Sequence, residues 1–182
     1  MTTPAGMEFT ALSKASKADF VAALAGIFEH TPWIAEQAYA ARPFADVDGL
    51  HRALVAALVA ASDDAKLALI RAHPELAGKE AAAGTMTAES VGEQAAAGLD
   101  RCTRDELARL TKQNARYRRR HGFPFVIAVK GKSKTDILAA LEARLGQETA
   151  DEFQRCLDEI AKIARLRLAA RFEDGRRRTT LA

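Results

Sequence analysis

The sequence predicts an all-α protein, a single-domain helical bundle of about eight helices with one buried extended loop. Three observations carry that expectation. Of the 182 residues, 48% are hydrophobic but only 6% aromatic, and alanine is plentiful, so helices have to pack closely through small side chains. Most stretches between turn signals repeat apolar residues every three or four positions, and several open on a Ser, Thr or Asp suited to capping. One continuous apolar run, Phe123 to Val129, is neither amphipathic nor matched by a second strand candidate, and so reads as a buried extended segment rather than part of a sheet. A chain of this length buries a proper core without a second domain.

Residues 1–15 show no periodicity and are expected to lie loosely on the surface. Ser16 can cap a first helix carrying Phe20, Leu24 and Phe28. Thr31-Pro32 is an N-cap followed by the first helical position of a second, with Trp33, Ile34 and Tyr39. A third follows Asp46 or Asp48 with Leu50, Leu54 and Leu58. A fourth starts at Ser62, carries Leu67 and Ile70, and stops at His73, because Pro74 disfavours helical geometry in the residue before it. Glu75 to Thr85 is rich in glycine and alanine and is expected to be a loop. A fifth helix covers Thr87 to Ala97, and the capping box Thr103-Arg104-Asp105-Glu106 opens a longer one that Gly122 ends. Two more, Ser133 to Leu145 and Glu148 to Asp174, bring the helical domain to residues 16–174, with a basic tail at 175–182.

Cys102 and Cys156 have no CxxC spacing and no neighbouring His pair, so neither a zinc site nor a disulfide framework is expected and a reducing cytoplasm is the expected location. No apolar run approaches the ~20 residues of a membrane span, and no signal-peptide pattern opens the chain. The net charge of +3 is small, but basic residues cluster in Arg116-Tyr117-Arg118-Arg119-Arg120-His121 and in Arg176-Arg177-Arg178. RNA modules interleave several aromatics with their basic residues, and here the other aromatics lie elsewhere. The run therefore reads as a solvated helix end or a field that attracts a small anion, and no nucleic-acid partner is expected.

Candidate chemistry concentrates where helical periodicity breaks: His73-Pro74-Glu75-Leu76-Ala77-Gly78-Lys79, Ser90-Val91-Gly92-Glu93-Gln94, and Gly122-Phe123-Pro124-Phe125-Val126-Ile127-Ala128-Val129-Lys130-Gly131. Pro74 fixes the backbone of His73 in an extended form that can aim an imidazole into a cavity, where it would titrate near neutral pH; the alternative is an ordinary helix-end histidine. His30, His51 and His121 have no supporting motif. On a helical wheel, Val91, Ala95 and Leu99 share one face, while Ser90, Glu93 and Gln94 lie on an adjoining arc with Ala97. That arc either orients a polyamide ligand or is the polar side of a surface helix. In the last helix Arg167 falls on the stripe of Phe153, Leu157, Ile160 and Ala164, where a cation must bind an anion or enter an internal salt bridge. Arg171 extends the stripe toward the charged tail. Backbone groups of Phe125, Val126, Ile127, Ala128 and Val129 lack a helical ladder, and either a heterocycle rich in carbonyl and urea groups or neighbouring side chains and water must satisfy them.

With Asn114-Ala115-Arg116-Tyr117 and Glu159-Ile160-Ala161-Lys162-Ile163-Ala164-Arg165-Leu166-Arg167-Leu168, these segments closely resemble the OHCU decarboxylases, which act on 2-oxo-4-hydroxy-4-carboxy-5-ureidoimidazoline in urate breakdown. The resemblance runs from about Phe20 to Phe172. It departs at His121, where the family more usually has an aromatic residue. The resemblance implies an all-helical homodimer that decarboxylates this small ureidoimidazoline to (S)-allantoin and carbon dioxide without metal or other cofactor. By position it implies His73 as the catalytic histidine, Glu93 as its partnering carboxylate and Arg167 as an active-site arginine. Pro74, the stretch of Ser90, Val91, Gly92, Glu93 and Gln94, and the run Phe125 to Val129 correspond to substrate contacts, the last mainly through backbone groups. Two other readings stay open: a non-enzymatic helical binding module, and a lyase or decarboxylase for a related ureido acid.

Overall fold

A computed structural model describes residues 7–78 and 84–172. Lys79, the central part of the loop expected over residues 75–85, and the basic tail with Arg176, Arg177 and Arg178 lie outside the described residues. Among the described residues the architecture is all-α, with nine α-helices and no sheet. The chain divides into two compact units, Met1–Lys66 with Ala161–Ala182, and Leu67–Ile160.

The first unit holds α1 (Phe9–Leu12), α2 (Lys17–Ala23), α3 (Pro32–Ala38), α4 (Val47–Ala60) and the later turns of α9 (Thr149–Phe172). Within the segment expected to be loose, α1 buries Phe9 and Leu12, and the Phe9 ring meets Phe172 edge-on at 5.8 Å. Ser16 caps α2 by accepting from the Asp19 backbone N–H. The helix ends sooner than its apolar spacing suggests. Leu24 and Phe28 are buried but lie beyond it, because the chain turns through left-handed backbone at Gly26 (φ 80°) and His30 (φ 47°) before Pro32 starts α3. Helix α3 packs against α2 and α4. Asp46 caps α4 by accepting from Gly49 N–H at 2.6 Å, and Leu50, Leu54 and Leu58 form its buried stripe.

The second unit contains most of α5 (Asp63–Ala72), α6 (Ala88–Ala96), α7 (Arg104–His121), α8 (Lys134–Arg144) and the first turns of α9. Helices α5 to α8 start where local chemistry asks them to. The Ser62 hydroxyl accepts from Ala65, Thr87 caps α6, and Thr103 and Ser133 form complete capping boxes with Glu106 and Asp136. Helix α7 ends at Gly122, whose φ of 80° suits glycine, and the Gly122 carbonyl accepts from Arg71 Nε at 3.2 Å. From Phe123 to Val129 every residue except Pro124 is a buried hydrophobic, and Pro124 is buried as well, yet positions 124–129 take neither helical nor strand form.

Candidate active site

His73 lies at the end of α5, just before Pro74, and is 6% exposed. Its Nδ1 is 2.9 Å from the Leu69 carbonyl oxygen. A carbonyl only accepts, so Nδ1 carries a proton, and in the neutral form of the ring the basic nitrogen is Nε2. The last turn of α5 thereby sets both ring orientation and tautomer.

The segment after His73 is held by side chains from two other helices. Ala77 N–H donates to Gln94 Oε1 at 2.9 Å, and Gln94 Nε2 donates to the Glu75 carbonyl at 3.4 Å. Asn114 Nδ2 donates to the Leu76 carbonyl at 3.0 Å, and Arg118 Nε pairs with Glu75 Oε1 at 2.7 Å. Ala77 adopts a φ of 48°, a left-handed conformation that an L-residue keeps only when its surroundings impose it. Helix α6 thus turns its polar arc inward. Ser90, Gln94 and Ala97 are buried and Glu93 is half-buried, whereas Val91 is 47% exposed and Gly92 is exposed. The arc therefore does not behave as the polar side of a surface helix, because its amide supplies partners that the backbone of residues 75–77 needs.

The run Phe125 to Val129 is fixed by charged side chains of α8 and α9. Ala128 N–H donates to Glu159 Oε2 at 2.8 Å, and Arg144 Nη1 donates to the Val126 carbonyl at 2.9 Å. Arg144 Nε also pairs with the fully buried Glu152 at 2.7 Å, and Glu152 accepts from the Tyr117 hydroxyl. Burial first, then the neighbouring Cys156, pushes the Tyr117 hydroxyl far up, so it remains a donor. Burial likewise pushes the Cys156 thiol up, which argues against a nucleophilic role. Side chains therefore satisfy at least the Val126 carbonyl and the Ala128 amide.

Arg167 belongs to the first unit. Its Nη1 donates to the Gly26 carbonyl at 2.8 Å and pairs with Glu29 Oε2 at 3.0 Å, both partners of the ion pair being buried. Arg171 Nη1 donates to the carbonyls of Ala23 and Ala25 at 2.9 and 2.7 Å. The two arginines of one helical face thus pair with the Glu29 carboxylate and donate to carbonyls at the end of α2 and in the irregular stretch after it. Arg165 is turned away from this pair and joins Asp48 at 2.6 Å. Among the described residues no group of three or more His, Cys, Asp or Glu could hold a metal ion. No helix among them is long and apolar enough to cross a membrane.

The family model for OHCU decarboxylase matches residues 13–169. The chain belongs to the OHCU decarboxylase family. It is 44% identical over 153 residues to the 2-oxo-4-hydroxy-4-carboxy-5-ureidoimidazoline decarboxylase of Haloferax volcanii, covering 84% of this chain and 89% of that one. It is 47% identical over 146 residues to the uric acid degradation bifunctional protein PucL of Bacillus subtilis, covering 80% of this chain but 29% of that longer protein. The crystal structure of an (S)-allantoin synthase is similar with a TM-score of 0.71 at 29% identity, over 91% of this chain and 54% of that one. A crystal structure of OHCU decarboxylase in the presence of (S)-allantoin has a TM-score of 0.66 at 21% identity, over 81% of this chain and 95% of that one, a likeness of fold.

Where this OHCU decarboxylase family member carries His121, the imidazole does an aromatic's work. It is buried, stacks on Phe123 at 5.9 Å and lies 4.4 Å from the Tyr117 ring, while Nδ1 meets Thr149 Oγ1 at 3.1 Å. Burial pulls its proton affinity below the ordinary value and outweighs the opposite pull of Glu152. Below the ordinary value of 6.5 the unfolded chain binds a proton that the folded imidazole resists. Stability is then full above that pH and declines as pH falls toward the lowered value. Thermal melts from pH 7.5 to about 5.5 should show this decline, and a His121→Phe variant should show a smaller one.

Sequence reasoning missed Asn114, Arg144, Glu152 and Glu29 as polar partners in the interior. The signal existed for two of them. Leu110, Asn114, Tyr117 and His121 are the buried stripe of α7, and Ile137, Leu141 and Arg144 lie on that of α8, the same cation-in-an-apolar-stripe pattern that singled out Arg167.

Proposed function

We propose that the chain is a cofactor-independent carboxy-lyase that converts 2-oxo-4-hydroxy-4-carboxy-5-ureidoimidazoline to (S)-allantoin and carbon dioxide in urate catabolism. Membership of the OHCU decarboxylase family supports this, and the observation that carries the chemistry is His73: a buried imidazole whose tautomer is fixed with the basic nitrogen at Nε2. Loss of carbon dioxide leaves an electron pair that the conjugated ring must accept, and one proton must be taken up on one face of the ring carbon for each carbon dioxide released. His73 takes up that proton from solvent at Nε2 and passes it to the carbon, and delivery from a fixed ring makes the product a single enantiomer. Because Nδ1 is engaged by Leu69, Glu93 acts with His73 on its Nε2 side. Pro74, Ser90 to Gln94 and Phe125 to Val129 contact the substrate, Gln94 doing so as the residue that also fixes the backbone beside His73.

Arg167 is assigned to stabilising negative charge on the ring by correspondence of position. Its pair with Glu29 is neutral as a whole, so this assistance would come through hydrogen-bond donation rather than net charge. The family match runs through both compact units, which supports residues 16–174 working as one catalytic domain. We place the enzyme in the cytoplasm as a homodimer, in keeping with two unpaired cysteines and with the family resemblance. Light scattering should then give twice the chain mass of 19.6 kDa. The activity is tested by generating the substrate in situ and following its decay with and without the protein, alongside related ureido acids. Accelerated decay of this substrate alone supports the reading, and a preference for another ureido acid would reassign it.

A further inference from the structure

We propose that Arg144 is a positioning residue for catalysis, holding the Phe125–Val129 run in its substrate-binding conformation. This rests on the reading of that run as a substrate contact. The run has no helical or sheet ladder and is buried throughout, so its backbone conformation depends on whatever bonds its polar groups. Arg144 supplies two of the restraints. One Nη donates to the Val126 carbonyl at 2.9 Å, and the guanidinium lies over the Phe125 ring at 4.5 Å. The guanidinium is itself fixed from below. Its Nε pairs with Glu152 at 2.7 Å and its other Nη faces Cys156 Sγ at 3.5 Å, while Glu152 is held by the Tyr117 hydroxyl. Two residues further on, the Ala128 amide is tied to Glu159.

A buried ion pair is a poor way to gain stability, because apolar residues of similar volume often serve as well or better. Its distinctive product here is geometric: the planar fork joins Val126 to Glu152 with a direction that a flexible ammonium cannot reproduce. Arg144→Lys therefore separates the two roles, since it keeps the charge opposite Glu152 and loses the fork. We expect that variant to melt cooperatively, with kcat/KM lowered about tenfold or more, the loss falling on KM while kcat stays within about threefold. Hydrogen exchange at the amides of residues 126–129 should quicken by a similar factor, against unchanged exchange in α7. A folded Arg144→Lys protein with the parent KM and parent exchange overturns the proposal. So does one that fails to fold, which would make Arg144 structural alone. If the parent protein does not turn over the ureidoimidazoline, the substrate reading fails, and the exchange experiment still decides whether Arg144 orders the run.

Discussion

A His73→Asn variant should fold like the parent and lose turnover by about 10²–10⁴-fold, the range that removal of a positioned acid–base group typically costs. Asparagine keeps a donor near the Leu69 carbonyl, so the end of α5 is little disturbed, and it lacks a group that titrates near neutral pH. The change should appear in kcat far more than in KM, because the lost interaction matters when the proton moves and not when the substrate binds. Any allantoin that still forms should be racemic, arising from protonation without a fixed donor. Undiminished kcat in this variant would remove His73 from the mechanism and move the search to Glu93.

The second large effect is on stability. Arg167→Ala leaves Glu29 buried without this cation and should cost about 3–5 kcal/mol, a large share of the 5–15 kcal/mol typical of a folded domain. The midpoint of thermal unfolding should fall by roughly 10 °C. Replacing both partners, Arg167→Met with Glu29→Leu, should recover much of that loss, since no unpaired charge remains. The double variant also separates the two roles of Arg167. Parent-like turnover in a stable double variant would confine the arginine to holding the stretch after α2. Turnover lowered in the same stable background is what a donor to the reacting ring predicts.

Much of the fold was legible because the signals were local. The Asp46 cap with Leu50, Leu54 and Leu58, the Thr31-Pro32 start of α3 and the capping boxes at Thr103 and Ser133 each act within one or two turns, and the helices start beside them. Elements that depend on distant partners or on a single backbone dihedral were not legible in this way. One turn of helix from Phe9 to Leu12 is too short for a period to show. The premature end of α2 is followed by left-handed backbone at Gly26 and His30, which apolar spacing does not report. The arc of Ser90 and Gln94 turns inward because Glu75 and Ala77, far back in the chain, present backbone groups that need it. Of the candidate site, His73 stood out through Pro74, which follows it at the end of α5. The interior pairs Arg144–Glu152 and Arg167–Glu29 join residues 8 and 138 positions apart, and only the folded chain reveals which carboxylate each arginine meets.

The most direct test of the central claim is the circular dichroism of the product. The substrate is formed from urate by the upstream enzymes, this protein is added, and the optical activity of the allantoin is followed. The account predicts rapid appearance of (S)-allantoin alone, at a rate set by the protein concentration. Racemic allantoin forming no faster than in the absence of the protein would contradict it.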